Sequence, residues 1–412
     1  MATRTLGLSG RDYSTLAAWA SYANALSLSA HEFADFYNDG GAIQDTTTVT
    51  VGGWTANGFT VRMRPASGQG FGDNANKLTN ALSYNASNGA ALTSNVGYTN
   101  AYDLSGTNLV VEGLQFRATA SSANSVTRLS GGVTINRSIL SKASGAYIVT
   151  QGASGFTIND SLLEGAGHGV QCLSTGAAIN NCTIASTVSW GTGVFQPYAV
   201  QPVVKNTSVY GFATDFQGTA GSGSTNNATD KGSFGGTGWG VNGQTGLSSA
   251  DFENVSAGTS DWRIKSGSTK LINTGAGSVG TGFDVVNNAR ATNNIGAWGG
   301  ASGGGGSTAQ GATVTATASI FGGTATGGVA SGTFTSEVLT RNNGTVAAGV
   351  ALTYVRFYNI STGALVVTKT GLSTNGSGVF TTTDAALISG TTYAIDWEEA
   401  GGQRRMPRKA AT

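Results

Sequence analysis

The chain has 412 residues, a net charge of +1, and only 10% charged residues, where about 25% is usual. Its 64 glycines, roughly twice the usual share, sit among Ser, Thr and Asn, while Val, Ile, Leu and aromatic residues persist throughout. This is a turn-rich, all-β composition, and its near-neutral charge argues against a nucleic-acid binder, which needs a basic stripe to neutralise phosphates.

Residues 1–10 read as a short strand. The start, Met1 to Gly7, lacks the apolar core of a signal peptide, so synthesis in a host cytoplasm without export by the general route is expected. No apolar run is long enough for a membrane-spanning helix, so no membrane partner is expected. Ser14 to Leu26 is the one convincing helix: Leu16, Trp19, Ala20 and Ala23 fall at helical spacing, and Ser14 or Asp12 is in place to cap it. It is assigned to an N-terminal cap spanning 1–30.

From His31 the pattern turns to strands. Thr47–Val51, Phe59–Met63, Ala81–Tyr84, Ala91–Thr93 and Ala101–Leu104 are expected as early, irregular coils. A phrase then recurs five times, anchored on Val111, Ile135, Ile158, Ile179 and Val204 at steps of 24, 23, 21 and 25 residues. A variable period of this length marks a solenoid. The anchor, the residue three later (Leu114, Ser138, Ser161, Cys182, Thr207) and the residue five later (Phe116, Leu140, Leu163, Ile184, Val209) are expected to point inward. Stacked strands lie about 4.8 Å apart, so Asn136, Asn159 and Asn180 are expected to form an amide ladder. The reading is a parallel β-helix over 31–298.

After Val209 the repeat fades into Gly218–Gly246, read as an excursion or as loose coils. Order returns at Asp251–Val255, Asp261–Ile264, Lys270–Asn273 and Asn294–Trp298. The run Trp262-Arg263-Ile264, Ser268 to Gly275, Asp284, Arg290 and Asn294-Ile295-Gly296-Ala297 resembles the final coil of pectate-lyase-like right-handed β-helix proteins. Asn288 and Asn294 depart from that pattern, which has Gly and Asp there. The opening Asp12 to Trp19 resembles the capping segment of the same proteins. The resemblance covers roughly residues 1–300 and implies a right-handed parallel β-helix with an N-terminal capping helix.

Residues 299–310 read as a Gly-rich linker. Residues 311–400, with six or seven strand candidates and regular turns, read as a small β-sandwich. They resemble the immunoglobulin-like or transthyretin-like modules of surface and phage virion proteins. Residues 401–412 form a basic tail, in which Arg404, Arg405, Arg408 and Lys409 are candidates for docking on an acidic particle surface.

Chemistry is sparse. Cys172 and Cys182 are read as buried free thiols, and with two histidines, His31 and His168, no metal or other cofactor is expected. Glycoside hydrolysis needs two facing carboxylates, and lyases of the resembled family use Asp-bound calcium and a basic residue. Glu112, Asp160 and Glu164 are the few acids of the repeat. Asp160 and Arg137 share one repeat position and are expected to form a surface ion pair; Glu164 with His168 is the weak acid/base candidate. Asp35, Asp39 and Asp45 read as turn and cap residues. No catalytic residue is assigned. Trp190, Phe195 and Tyr198, in one loop-rich stretch, are the glycan-binding candidates.

The leading expectation is a non-enzymatic structural protein on the exterior of a tailed-phage virion: capsid decoration protein, head fibre or tail spike. Its partners would be other virion proteins and host polysaccharide, and it would form a homo-oligomer, in the leading case a trimer. A polysaccharide-degrading lyase or hydrolase is the alternative.

Overall fold

The recurring phrase forms one corner of a coil in the computed structural model. The structure describes residues 2–299 except 75, 144, 166, 199, 277–278, 289 and 291–292; beyond 299 it describes 320–322, 329–330, 333–336, 340–341, 348–359, 365–388, 393–399, 403–405 and 410–411. The chain divides into two units, Met1–Ser302 and Gly303–Thr412.

The first unit is a parallel β-solenoid of about six turns. Three sheets run its length. The first, eight-stranded, begins with Ala2–Leu6 and ends with Val203–Lys205. The second, also eight-stranded, runs from Ile43–Asp45 to Ala228–Thr229. The third, seven-stranded, runs from Val49–Val51 to Thr214–Gln217. All pairing within these three sheets is parallel, and Val111, Ile135, Ile158, Ile179 and Val204 fall on one register line of the first sheet.

The inward positions follow the phrase. Each anchor, each residue three later and each residue five later is 0% exposed. Between first and second sheets the chain turns through a left-handed residue: Gly113, Arg137, Asp160, Asn181 and Asn206 have φ of 66°, 48°, 51°, 52° and 51°. Asn and Asp tolerate this region because a short polar side chain can bond locally. The Asn ladder forms: Asn159 Nδ2 donates to Asn136 Oδ1 at 2.9 Å, and Asn180 Nδ2 to Asn159 Oδ1 at 2.9 Å. A second ladder runs along the turn itself, Asn206 to Asn181 at 3.0 Å and Asn181 to Asp160 at 2.9 Å.

The helix is Leu16–Ala23, and it buries Leu16, Trp19, Ala20 and Ala23 against the first strands of the second and third sheets. Its N-cap is Thr15, not Ser14 or Asp12. Asp12 instead accepts from Thr5 N at 2.9 Å, and Asp45 Oδ1 accepts from Ala17 N at 3.1 Å. No strand forms at Ala81–Tyr84. Gly218–Gly246 takes the form of loose coils: Lys205↔Thr225, Thr219↔Thr237 and Ala228↔Gln244 extend the ladders by single bridges, and Trp239 is buried at the end of the core.

The stretch expected as the final coil does something else. Among the described residues of 247–299, the only strands, Phe252–Asn254 and Asp261–Ile264, pair with each other. Phe252, Trp262, Leu271, Ile295 and Trp298 pack on Ile139, Leu162, Ala185 and Ala228 of the second sheet, together with Phe71 and Leu82. The cause is the residue four after the anchor: it faces outward, yet it is Ile139 and Leu162 in two rungs. That apolar stripe demands a cover, and 247–299 lies back over it as a strap. Arg290 anchors the strap: its Nε meets Asp160 Oδ1 at 3.0 Å with both side chains nearly buried, and its Nη2 donates to Gly296 O and Ala297 O at 2.8 and 3.0 Å. Asp160 therefore pairs with Arg290 and not with Arg137, which instead contacts Glu112 and Asn287.

The second unit holds small antiparallel sheets. Ala351–Asn359 pairs with Leu365–Lys369 and Tyr393–Glu399, and Thr333–Thr335 with Thr381–Thr383. Phe334, Val355, Phe357 and Phe380 form its buried centre. Gln403–Arg405 and Ala410–Ala411 pair antiparallel with Tyr393–Glu399, so Arg404 and Arg405 belong to a strand and not to a free tail. Arg408 and Lys409, like Val314–Ser319, lie outside the described residues.

Candidate functional site

The first sheet carries the Asn ladder and the second lies under the strap. Among the described residues of the first unit, the strap packs on the second sheet and not on the third. The third sheet's register lines set side chains over one another: Asp103, Arg128, Thr150, Gln171, Phe195 and Gln217 on one line, and Asn100, Ser125, Tyr147 and His168 on another. Between them lies a groove of about 460 Å³, lined among others by Asn100, Asn124, Arg128, Tyr147, Thr150 and Gln171.

Beside the groove the rings gather. Tyr147 and His168, partners across adjacent strands, stack with centroids 4.8 Å apart, close to the strand spacing. Phe195 lies 6.3 Å from each. Trp190, 45% exposed, meets the His168 ring edge-on at 5.6 Å. Two of the three glycan candidates thus join, around a histidine that sequence reasoning weighed for another role and a tyrosine it missed. Tyr198 is 64% exposed and lies on the connection that leaves strand Thr192–Phe195 at the end opposite Trp190. The sequence signal for Tyr147 and His168 is faint because the turns that precede them differ in length: they sit 12 and 10 residues after their anchors, Ile135 and Ile158.

Protonation follows from the surroundings. Burial lowers the His168 pKa, and its Nδ1 accepts from Thr192 N at 2.9 Å. His168 is therefore a neutral imidazole with its proton on Nε2. Burial raises the Tyr147 phenol, which stays a neutral donor. Gln151 is spent on structure, accepting from Leu173 N and Ser174 N at 2.9 and 3.1 Å. Ser125 Oγ donates to Asn100 Oδ1 at 2.8 Å, which holds the Asn100 amide in place.

Among the described residues no carboxylate lines the groove; the acid beside it, Asp103, is held by Arg128 at 2.5 Å. Glu164 is on the second sheet, under the strap, where it accepts from Tyr84 N at 2.8 Å and Trp262 Nε1 at 3.2 Å; burial raises its pKa. It is a buried tether and makes no pair with His168, which belongs to the third sheet. Asp35 and Asp39 bind Arg64 and Arg11, each at 2.8 Å. Among the described residues no group of three His, Cys, Asp or Glu side chains is placed to hold a metal ion, and Cys172 and Cys182 are free and buried.

Flat rings beside fixed amides, a guanidinium and hydroxyls suit sugars, whose C–H faces stack on rings and whose hydroxyls take paired hydrogen bonds. A scan against protein-family models matches none, and no curated protein matches the chain. No helix among the described residues is long and apolar enough to cross a membrane.

Proposed function

We propose that the protein is a non-enzymatic structural component of the exterior of a tailed-phage virion, a capsid decoration protein, head fibre or tail spike, and that its third-sheet face holds glycans of the host surface. In this reading the solenoid is of the right-handed, pectate-lyase-like kind, and the second unit is an immunoglobulin-like or transthyretin-like module. The observation that carries the reading is the groove on the third sheet, lined by Tyr147 and by no carboxylate among the described residues, with the His168, Phe195 and Trp190 rings beside it. A rigid stacked rod is suited to projecting such a face from a particle. Docking would fall to Arg404, Arg405, Arg408 and Lys409 against an acidic partner surface, and three copies would assemble together.

Mass spectrometry of purified particles, with cryo-electron microscopy to locate the protein, tests the first half; absence from particles refutes it. A glycan array tests the second half. Binding that Tyr147→Ala and Trp190→Ala each weaken about tenfold, the equivalent of about 1.4 kcal/mol, is expected. Release of oligosaccharide from host polysaccharide would refute the non-enzymatic reading in favour of a depolymerase.

A further inference from the structure

One ring stands apart from the cluster beside the groove. Tyr98 lies in the connection from strand Ala91–Ser94 of the second sheet to strand Asn100–Leu104 of the third. It is 83% exposed. Its φ is 61°, in a region where a bulky side chain is an outlier. Backbone bonds fix it there: Tyr98 N donates to Ser122 O at 2.9 Å, and Asn124 Nδ2 donates to Tyr98 O at 3.2 Å. Asn124 itself lines the groove. Backbone strain of this kind collects at ligand sites, and a ring left in water returns none of it through packing.

Register puts Tyr98 at one end of a line and Trp190 at the other. Asn100, Ser125, Tyr147, His168 and Thr192 follow one another across neighbouring strands of the third sheet. Tyr98 stands two residues ahead of the first of them and Trp190 two residues ahead of the last. The strand steps between the two ends add up to about 19 Å along the solenoid axis, at about 4.8 Å each. Ala123 and Gly145 hold the matching places ahead of Ser125 and Tyr147, so small residues separate Tyr98 from the ring cluster. Between the ends lie the stacked Tyr147 and His168 rings and the groove with Asn100, Asn124 and Gln171.

One strand step is close to the length of one pyranose unit. Rings at both ends of the line, a stacked pair within it and amides alongside therefore suit a run of sugars, with C–H faces on the rings and hydroxyls on the amides. We propose that the groove takes an internal stretch of polysaccharide, about four or more sugar units long, laid along the solenoid axis, with Tyr98 as the platform for the unit farthest from Trp190. This rests on the glycan-holding role of the face, to which it adds a chain length, a direction and one binding residue. A short glycan held at Trp190 alone would leave the strained Tyr98 with nothing to hold.

Calorimetric titration of the full chain tests this, with a series from disaccharide to octasaccharide cut from host-surface polysaccharide by mild acid. Affinity should rise at least about tenfold from disaccharide to pentasaccharide and then level. Tyr98→Gly suits a φ of 61° and should melt no lower than the wild type. It should weaken pentasaccharide binding about tenfold and leave the weaker disaccharide binding unchanged. Tyr98→Phe keeps the ring and should keep the wild-type affinity. Equal affinity for every length, unchanged pentasaccharide binding in Tyr98→Gly, or a lower melting temperature in that variant overturns the extended site and leaves glycan binding by the face standing. Failure of the wild type to bind any oligosaccharide or the intact polymer refutes glycan binding itself, and the extended site with it.

Discussion

Asp160 shows how much can hang on one side chain. It sits in the left-handed turn at 0% exposure and is held by Arg290, Asn181 and the Thr281 amide and hydroxyl. Removing one partner of a buried pair leaves a buried charge, which costs about 3–5 kcal/mol. Arg290→Met should therefore lower the unfolding free energy of the solenoid by about that much in urea titration; a loss below about 1 kcal/mol would mean the pair is solvated. Two other buried acids make stability depend on pH. Burial raises Asp45 and Asp284 from 3.8 to about 6, so each binds its proton more tightly when folded. Their contribution is complete below the unfolded value of 3.8 and is lost as pH rises through about 6. Thermal melts should show stability falling from about pH 4.5 to about pH 7, and Asp284→Asn should flatten part of the fall. A wild-type melting temperature that rises over this range would contradict the assignment.

At the scale of elements, the ladder and the strap make separable contributions. Asn159 both donates and accepts in the ladder, whereas Asn136 only accepts within it. Asn159→Ala should cost about 1–3 kcal/mol and Asn136→Ala about half that, at about 1 kcal/mol per net hydrogen bond; equal losses would remove the ladder as a stabilising unit. Trp262→Ala should cost about 3–5 kcal/mol, since it empties a fully buried site between strap and sheet. The rungs could be read in the sequence because their inward positions repeat at fixed offsets from each anchor. The strap could not, because its contacts span 98 residues from Trp262 to Glu164 and 130 from Arg290 to Asp160. One local sign was present: Ile139 and Leu162 are apolar at an outward position. The site was legible in half. Trp190 and Phe195 stand out as aromatics in a loop-rich stretch, but Tyr147 and His168 join them only through register across turns of unequal length.

For the molecule as a whole, the three faces of the solenoid are used differently. One is laced by amides, one is covered by the chain's own strap, and one presents rings and a groove. The strap makes residues 247–299 part of the solenoid's stability, so a chain ending at 246 should expose the Ile139–Leu162 stripe and aggregate, which light scattering would detect; a monodisperse, folded product would contradict this. The third face supports the proposed role of holding host glycans without cutting them. Size-exclusion chromatography with light scattering on the protein mixed with host-surface polysaccharide tests that role most directly. Co-elution of protein and polymer with the polymer's mass unchanged, lost in the double variant Tyr147→Ala and Trp190→Ala, is the predicted result. Separate elution, or a fall in polymer mass with time, would contradict it.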